Sequence, residues 1–113
     1  MTLGSKQELF TITLAKFIIW LYQNGYEVRL GDVFRDPRLH GAVGEKKGYG
    51  HKSSCHKYKL AADLNLFKDG KYLSSNEDHR IPGEKWESMN ELATWGGRFN
   101  DGNHYSFTHN GSK

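Results

Sequence analysis

Histidines and carboxylates in the second half of the chain have spacings that suit a metal site. The sequence of 113 residues holds six histidines, and His56 and His104 each have a carboxylate at a spacing that could suit a metal site. His56 comes seven residues before Asp63, and Asp101 comes three residues before His104. Two imidazoles and one carboxylate are a common ligand set for catalytic zinc, which keeps a fourth position open for water. His56, Asp63 and His104 are therefore a candidate zinc site.

Asp63 attracts attention because it interrupts an apolar segment, between Ala62 and Leu64. A buried carboxylate is costly unless it is paired or binds a metal. In an unbroken strand, residues seven apart point to opposite faces. The chain at 57–59 must therefore bend if His56 and Asp63 are to bind one ion. The residues alone leave a second interpretation open, in which Asp63 pairs with a nearby Lys or Arg.

The hydrophobic periodicity predicts which elements position these residues. A helix is expected at 5–24, with a capping box formed by Ser5 and Glu8 and a stop at Asn24-Gly25. Asp69-Gly70 is a hairpin signal, and Trp95-Gly96-Gly97 is expected to end a second helix. The predicted strands cover 26–30, 60–67, 71–73 and 104–107, and the second helix covers 84–93. Segments 36–53 and 74–83 are expected to be loops, and the tail after Thr108 is expected to be frayed.

This order of elements predicts an α+β fold in one small domain over 1–113, as expected for a chain of this length. Three Trp, six Tyr and six Phe argue against disorder. The single cysteine, Cys55, excludes an internal disulfide. No apolar run approaches the length of a membrane span, and 1–8 lacks the pattern of a secretory signal. The net charge of +3 is compatible with an anionic partner such as nucleic acid or bacterial cell wall.

Three motifs in order along the chain resemble those of the M15 family of zinc peptidases, which includes D-Ala-D-Ala peptidases and phage L-alanyl-D-glutamate endolysins. The segment Ser54 to Asp63 is similar to the signature S-x-H-x-x-G-x-A-x-D, with Lys59 in place of the glycine. Asp101-Gly102-Asn103-His104, preceded by Trp-Gly-Gly, resembles the [D/E]-x-x-H motif, and Phe34-Arg35 resembles an early catalytic arginine. The resemblance spans about residues 7–109 and implies helices packed on an antiparallel sheet, with a zinc cleft, as in the hedgehog and DD-peptidase folds.

The resemblance also implies roles for individual residues. His56, Asp63 and His104 would hold zinc, Asp101 would be the general base, and Arg35 would stabilise the oxyanion. The residues alone favour an ordinary surface or salt-bridging role for Arg35 and a turn role for Asp101.

Other residues of the motifs receive supporting roles. Ser54 is expected to hydrogen-bond beside the site or to contact substrate, rather than to act as a nucleophile. Trp86 and Trp95 are interpreted as core aromatics, and Trp95 also as a possible wall of the substrate cleft. Cys55 is expected to point away from the metal as a packed, inert thiol.

The implied function is hydrolysis of peptide bonds in peptidoglycan stem peptides, as a D-Ala-D-Ala carboxypeptidase or an L-Ala-D-Glu endopeptidase, with Zn²⁺ as cofactor. The small size and the lack of a signal suggest a phage endolysin, made in the host bacterial cytoplasm and acting on the wall after release. We expect a monomer that binds neither nucleic acid nor membranes stably. The alternative is a zinc-binding module for cell wall or nucleic acid without peptidase activity.

Overall fold

The computed structural model describes residues 1–34 and 54–113. Within these ranges it contains two α-helices and five strands, which form an α+β structure. The helices are α1 (Leu3–Gln23) and α2 (Arg80–Met89). The strands are β1 (Glu27–Leu30), β2 (Ala61–Lys68), β3 (Lys71–Tyr72), β4 (Ala93–Trp95) and β5 (His104–Phe107).

Helix α1 confirms the predicted apolar stripe and the predicted stop, but its start is different. The N-cap is Thr2, whose side chain accepts a hydrogen bond from the backbone N–H of Ser5 at 3.1 Å. The prediction of Ser5 as the cap was wrong because both residues are good capping types, and the earlier one adds three residues to the helix. The helix ends at Gln23, and Gly25 has the positive φ, 86°, that favours glycine.

The five strands form an antiparallel sheet in the order β1-β2-β5-β4, with β3 paired to β2. The long strand β2 is central. Its first half pairs with β5, where Asp63 stands opposite His104, and its second half pairs with β1. Strand β3 follows the predicted turn, in which Asp69 and Gly70 both have positive φ. The sheet therefore brings two candidate ligands from distant parts of the chain side by side.

The second helix begins and ends four residues earlier than predicted. A 3₁₀ turn, Glu77–His79, leads directly into α2 at Arg80, and Pro82 stands in the first helical turn, where proline is tolerated. The helix ends before Asn90, whose side chain accepts from the N–H of Leu92. Part of the expected loop at 74–83 is therefore helical. The last residue of the expected helix, Ala93, instead begins the unpredicted strand β4, whose partner is β5.

The core lies between the helices and one face of the sheet. The ring of Phe17 on α1 lies 5.3 Å from Trp86 on α2 and 5.1 Å from Tyr105 on β5. Phe10 packs edge-on against Phe107 with a ring separation of 5.3 Å. Side chains alternate along a strand, so Asp63 and His104 lie on the face opposite these aromatic rings. The helices thus support one face of the sheet and leave the other to the site.

The prediction of a frayed C-terminal tail was wrong, because the tail forms a hydrogen-bonded turn. His109 and Ser112 exchange backbone hydrogen bonds of 2.8 Å in both directions around Asn110-Gly111. Both central residues have positive φ, as in the tight turns for which Asn-Gly is the strongest signal. The loop predicted at 36–53 lies outside the described residues. In the ranges that are described, no helix has both the length and the apolar character to cross a membrane.

Candidate metal centre

His56 lies in a 3₁₀ helix, Cys55–Tyr58, immediately before β2. Its side chain is fully buried. Ser54 is the N-cap of this turn, and its hydroxyl accepts a hydrogen bond from the backbone N–H of His56 at 3.2 Å. Ser54 therefore helps to fix the backbone of a candidate ligand.

The bend that the sequence requires between His56 and Asp63 is present at Lys59. This residue has a left-handed conformation, with φ 61° and ψ 36°. Two backbone hydrogen bonds close the turn, from Leu60 N to Cys55 O and from Lys59 N to His56 O. This pair of bonds is the Schellman pattern, which usually has glycine at the left-handed position. Lys59 thus adopts the backbone conformation that the glycine of the signature would adopt most easily.

Asp63 is held firmly by its backbone in β2. Its carbonyl accepts from Gly31 N at 2.8 Å, and its own N–H donates to Asp32 O at 2.7 Å. The next residue, Leu64, donates to Asn103 O at 2.9 Å. Gly31 approaches so closely that an added Cβ atom would lie 3.2 Å from the Asp63 Cβ. No role was predicted for Gly31 or Asn103, and the only feature of the sequence that could have indicated one is the glycine directly after β1.

The three candidate ligands converge on a single point. His56 Nε2 lies 3.1 Å from Asp63 Oδ1 and 3.2 Å from His104 Nδ1, and His104 Nδ1 lies 3.5 Å from Asp63 Oδ1. Ligand atoms at the usual zinc distances in a tetrahedral site are separated by roughly 3.3–3.6 Å. Both imidazoles are buried, and the Asp63 side chain is 17% exposed. This group could hold a metal ion, and its donor set and spacing fit zinc.

The charge state of Asp63 also suits a cation. Burial alone would raise the pKa of its carboxyl, but hydrogen bonds and positive charge from His104 and His56 outweigh burial. The pKa therefore lies well below the usual range for aspartate, and the carboxylate stays ionised at neutral pH.

Each histidine of the cluster has a second ring nitrogen, here called the outer nitrogen, that does not take part in the contacts described above. His56 Nδ1 and His104 Nε2 are buried and have no hydrogen-bond partner within the described ranges. If the two inner nitrogens direct lone pairs at a cation, these outer nitrogens carry the protons. Metal-bound histidines usually donate that second N–H to an acceptor.

Asp101 lies at the edge of the cluster. Its Oδ2 atom is 3.9 Å from His104 Nδ1, and its side chain is 51% exposed. The backbone between the two residues forms a turn, in which His104 N donates to Asp101 O at 3.1 Å. The structure therefore brings the predicted base next to the three ligands. Arg35, the other predicted catalytic residue, lies outside the described residues.

Cys55 and Trp95 are both buried. The thiol of Cys55 donates to Phe107 O at 3.3 Å, and burial raises its pKa to about 11, so it is a packed and unreactive thiol as predicted. Trp95 is a core residue, as is Trp86. With 4% of Trp95 exposed, it offers little surface to a substrate.

No protein-family model, no curated protein and no solved structure matches this chain. A family assignment therefore depends on the three sequence motifs and on the geometry of the cluster. What the structure itself establishes is a buried group of His56, Asp63 and His104 that could hold a metal ion, with the Asp101 carboxylate beside it.

Proposed function

We propose that the protein is a zinc-dependent peptidase that hydrolyses peptide bonds in the stem peptides of bacterial peptidoglycan. The observation that carries the proposal is the convergence of His56, Asp63 and His104, with separations of 3.1–3.5 Å between their donor atoms. The sequence motifs that resemble the M15 zinc peptidases contain these same three residues.

Zinc suits the site better than a hard cation does. Two imidazole nitrogens and one carboxylate are typical of catalytic zinc, whereas magnesium and calcium prefer all-oxygen sites. When bound, zinc supplies Lewis-acid polarisation of a carbonyl and lowers the pKa of water to near neutrality. His56 Nε2, His104 Nδ1 and Asp63 Oδ1 are the atoms that would hold it.

Asp101 is the residue that would move protons in this reaction. Its carboxylate lies 3.9 Å from a ligand nitrogen and is half exposed, so both water and a substrate can reach it. In the proposed mechanism, Asp101 takes a proton from the attacking water and passes it to the leaving amine. Arg35 would place its permanently charged guanidinium against the carbonyl oxygen as negative charge develops there.

A polar crevice next to Asp101 offers room for a peptide. It has a volume of about 510 Å³ and lies between the segments 72–76 and 100–103. Amide and hydroxyl side chains dominate its lining, including Ser74, Asn76 and Asn103. Such groups can form hydrogen bonds with the backbone amides of an extended peptide chain, so the peptide needs no charged side chain to bind. The crevice therefore supports a peptide as the substrate.

The test is digestion of purified peptidoglycan, with mass spectrometry of the released fragments in the presence and absence of a zinc chelator. Chelator-sensitive release of free D-Ala would identify a D-Ala-D-Ala carboxypeptidase. Release of whole stem peptides would identify an L-Ala-D-Glu endopeptidase, the activity expected of a phage endolysin. No cleavage by protein shown to bind zinc would contradict the proposal and favour a zinc-containing binding module.

A further inference from the structure

We propose that Trp95 is a positioning residue, whose indole N–H holds the turn that carries Asp101 beside the metal ligands. The inference rests on the proposed function of Asp101. It gives a role to the Trp-Gly-Gly run, which sequence analysis treated as a helix breaker and a possible cleft wall.

The indole of Trp95 bonds directly to the turn between Asp101 and His104. Its Nε1 donates to the carbonyl oxygen of Gly102 at 2.7 Å. Because Trp95 is 4% exposed, little water competes for its indole N–H. Gly102 immediately follows Asp101, so the bond fixes the peptide next to the proposed base.

The indole ring is itself held in one orientation. A Cβ atom on Gly83 of α2, or on Gly97, would lie 2.1 Å from atoms of the ring, so both backbones press against it. The guanidinium of Arg98 lies 5.4 Å from the ring centroid. Glu87 bonds both to Arg98 and to the backbone N–H of Trp95. The donor that reaches the turn is therefore rigidly placed.

Gly96 provides a second point of support for the same turn. Its carbonyl accepts from the N–H of Asp101 at 2.8 Å. A Cβ atom at position 96 would lie 2.2 Å from Asp101 O and 2.6 Å from His104 Cβ, so only glycine allows this approach. Within the described residues, the Asp101 carboxylate makes no hydrogen bond of its own, and its place is set by this backbone.

His104 depends less on Trp95 than Asp101 does. It belongs to β5 and pairs with Asp63 of β2, so the sheet holds it independently of the turn. Loss of the indole N–H should therefore displace Asp101 while the three metal ligands stay in place.

The experiment removes the indole donor in two ways. Trp95→Phe keeps an aromatic ring, and benzothienylalanine incorporated at position 95 keeps the full ring shape with sulfur in place of N–H. The matched control is Trp86→Phe. Trp86 is also buried, and its Nε1 donates to Thr94 O and Ser106 O, away from the 101–104 turn.

Backbone hydrogen exchange gives a readout that needs no substrate. The Asp101 amide should exchange about tenfold faster in both position-95 variants than in the unaltered chain, as expected for the loss of one buried hydrogen bond. The Trp86→Phe control should leave it unchanged. Equal exchange at Asp101 in the benzothienylalanine protein and the unaltered chain would overturn the proposal.

Kinetics and metal binding then separate positioning from general destabilisation. The kcat should fall about 10–100-fold in the position-95 variants, while KM and Zn²⁺ affinity change less than about threefold. A parallel loss of Zn²⁺ affinity, or an equal fall of kcat in Trp86→Phe, would contradict the positioning role. If the unaltered protein binds zinc but cleaves nothing, the proposed function fails, and the exchange comparison still decides whether Trp95 fixes the turn.

Discussion

Asp63 and His104 stand directly opposite each other on the neighbouring strands β2 and β5, with 3.5 Å between Oδ1 and Nδ1. Forty residues of sequence lie between Asp63 and His104, so the register of the two strands brings two remote motifs into one site. His56 reaches the same point from a short 3₁₀ helix whose left-handed end reverses the chain. The proposed zinc site and the proposed roles of Asp101 and Arg35 both depend on this convergence.

Asp101→Asn should abolish most peptidase activity without loss of zinc. The amide cannot accept the proton of the attacking water, so kcat should fall about 100–10,000-fold. The three ligands are untouched, and the zinc content should stay equal to that of the unaltered chain. The measurement is steady-state cleavage of a stem peptide together with metal analysis. Glu91→Gln removes an exposed carboxylate elsewhere and serves as the control. Full activity in Asp101→Asn would remove Asp101 from the mechanism.

Arg35→Ala should lower kcat more than it raises KM. A guanidinium that meets charge developing in the transition state contributes little to binding of the ground state. The control is Arg29→Ala, which removes an arginine of β1 that lies over the ring of Phe67 on β2. An unchanged kcat for Arg35→Ala, or an equal fall in the control, would count against the oxyanion role.

Lys59→Gly should stabilise the protein. Lys59 has φ 61°, and the left-handed conformation costs an L-residue about 1–2 kcal/mol, a cost that glycine avoids. Part of this gain is offset by the greater freedom of glycine in the unfolded chain, so the free energy of unfolding should rise by roughly 0.5–1 kcal/mol. Urea denaturation measures the change. Lys59→Ala removes the same side chain but keeps Cβ, and it should give no increase. A decrease for Lys59→Gly would show that the turn carries no such strain.

The free energy of unfolding should fall in mild acid because of His79. Its Nδ1 lies 2.8 Å from the Tyr105 hydroxyl and its Nε2 lies 3.1 Å from Leu73 O, which suits a neutral ring. Burial lowers the pKa of His79, although the Leu73 carbonyl and the charge of Asp78 act the other way. Below about pH 6.5 the unfolded chain therefore binds a proton that the folded chain does not, and stability falls as pH falls.

The measurement for His79 is the free energy of unfolding at several pH values between 5 and 8. His79→Gln keeps a donor and an acceptor but does not titrate, so its profile should be flatter in this range. Other histidines contribute equally to both profiles, and the difference between the profiles reports His79. Identical slopes for the two proteins would contradict the assignment of a neutral, buried His79.

Local signals in the sequence were sufficient for much of the fold. The stripe from Phe10 to Leu21 and the Asn24-Gly25 stop predicted α1 because helix periodicity and capping are properties of neighbouring residues. The same holds for the Asp69-Gly70 hairpin. Strand β4 was not predicted because three residues are too few to show the alternation of apolar and polar residues that is typical of a strand. Its formation depends on pairing with β5.

The candidate site shows the same division between local and distant effects. The need for a bend before Asp63 followed from strand geometry, whereas the left-handed Lys59 at that bend could not be inferred from a residue that rarely adopts it. The bond from Trp95 to Gly102 and the contact of His79 with Tyr105 join residues whose proximity only the folded chain creates.

Zinc content measured by equilibrium dialysis is the most direct test that His56, Asp63 and His104 form one metal site. The unaltered chain should bind one Zn²⁺, and His56→Ala and His104→Ala should lose it while remaining folded. His109→Ala, which removes a histidine that contacts Lys6 instead of the cluster, should bind zinc as the unaltered chain does. A folded, unaltered chain that binds no zinc, or equal binding by all four proteins, would contradict the site and the peptidase mechanism built on it.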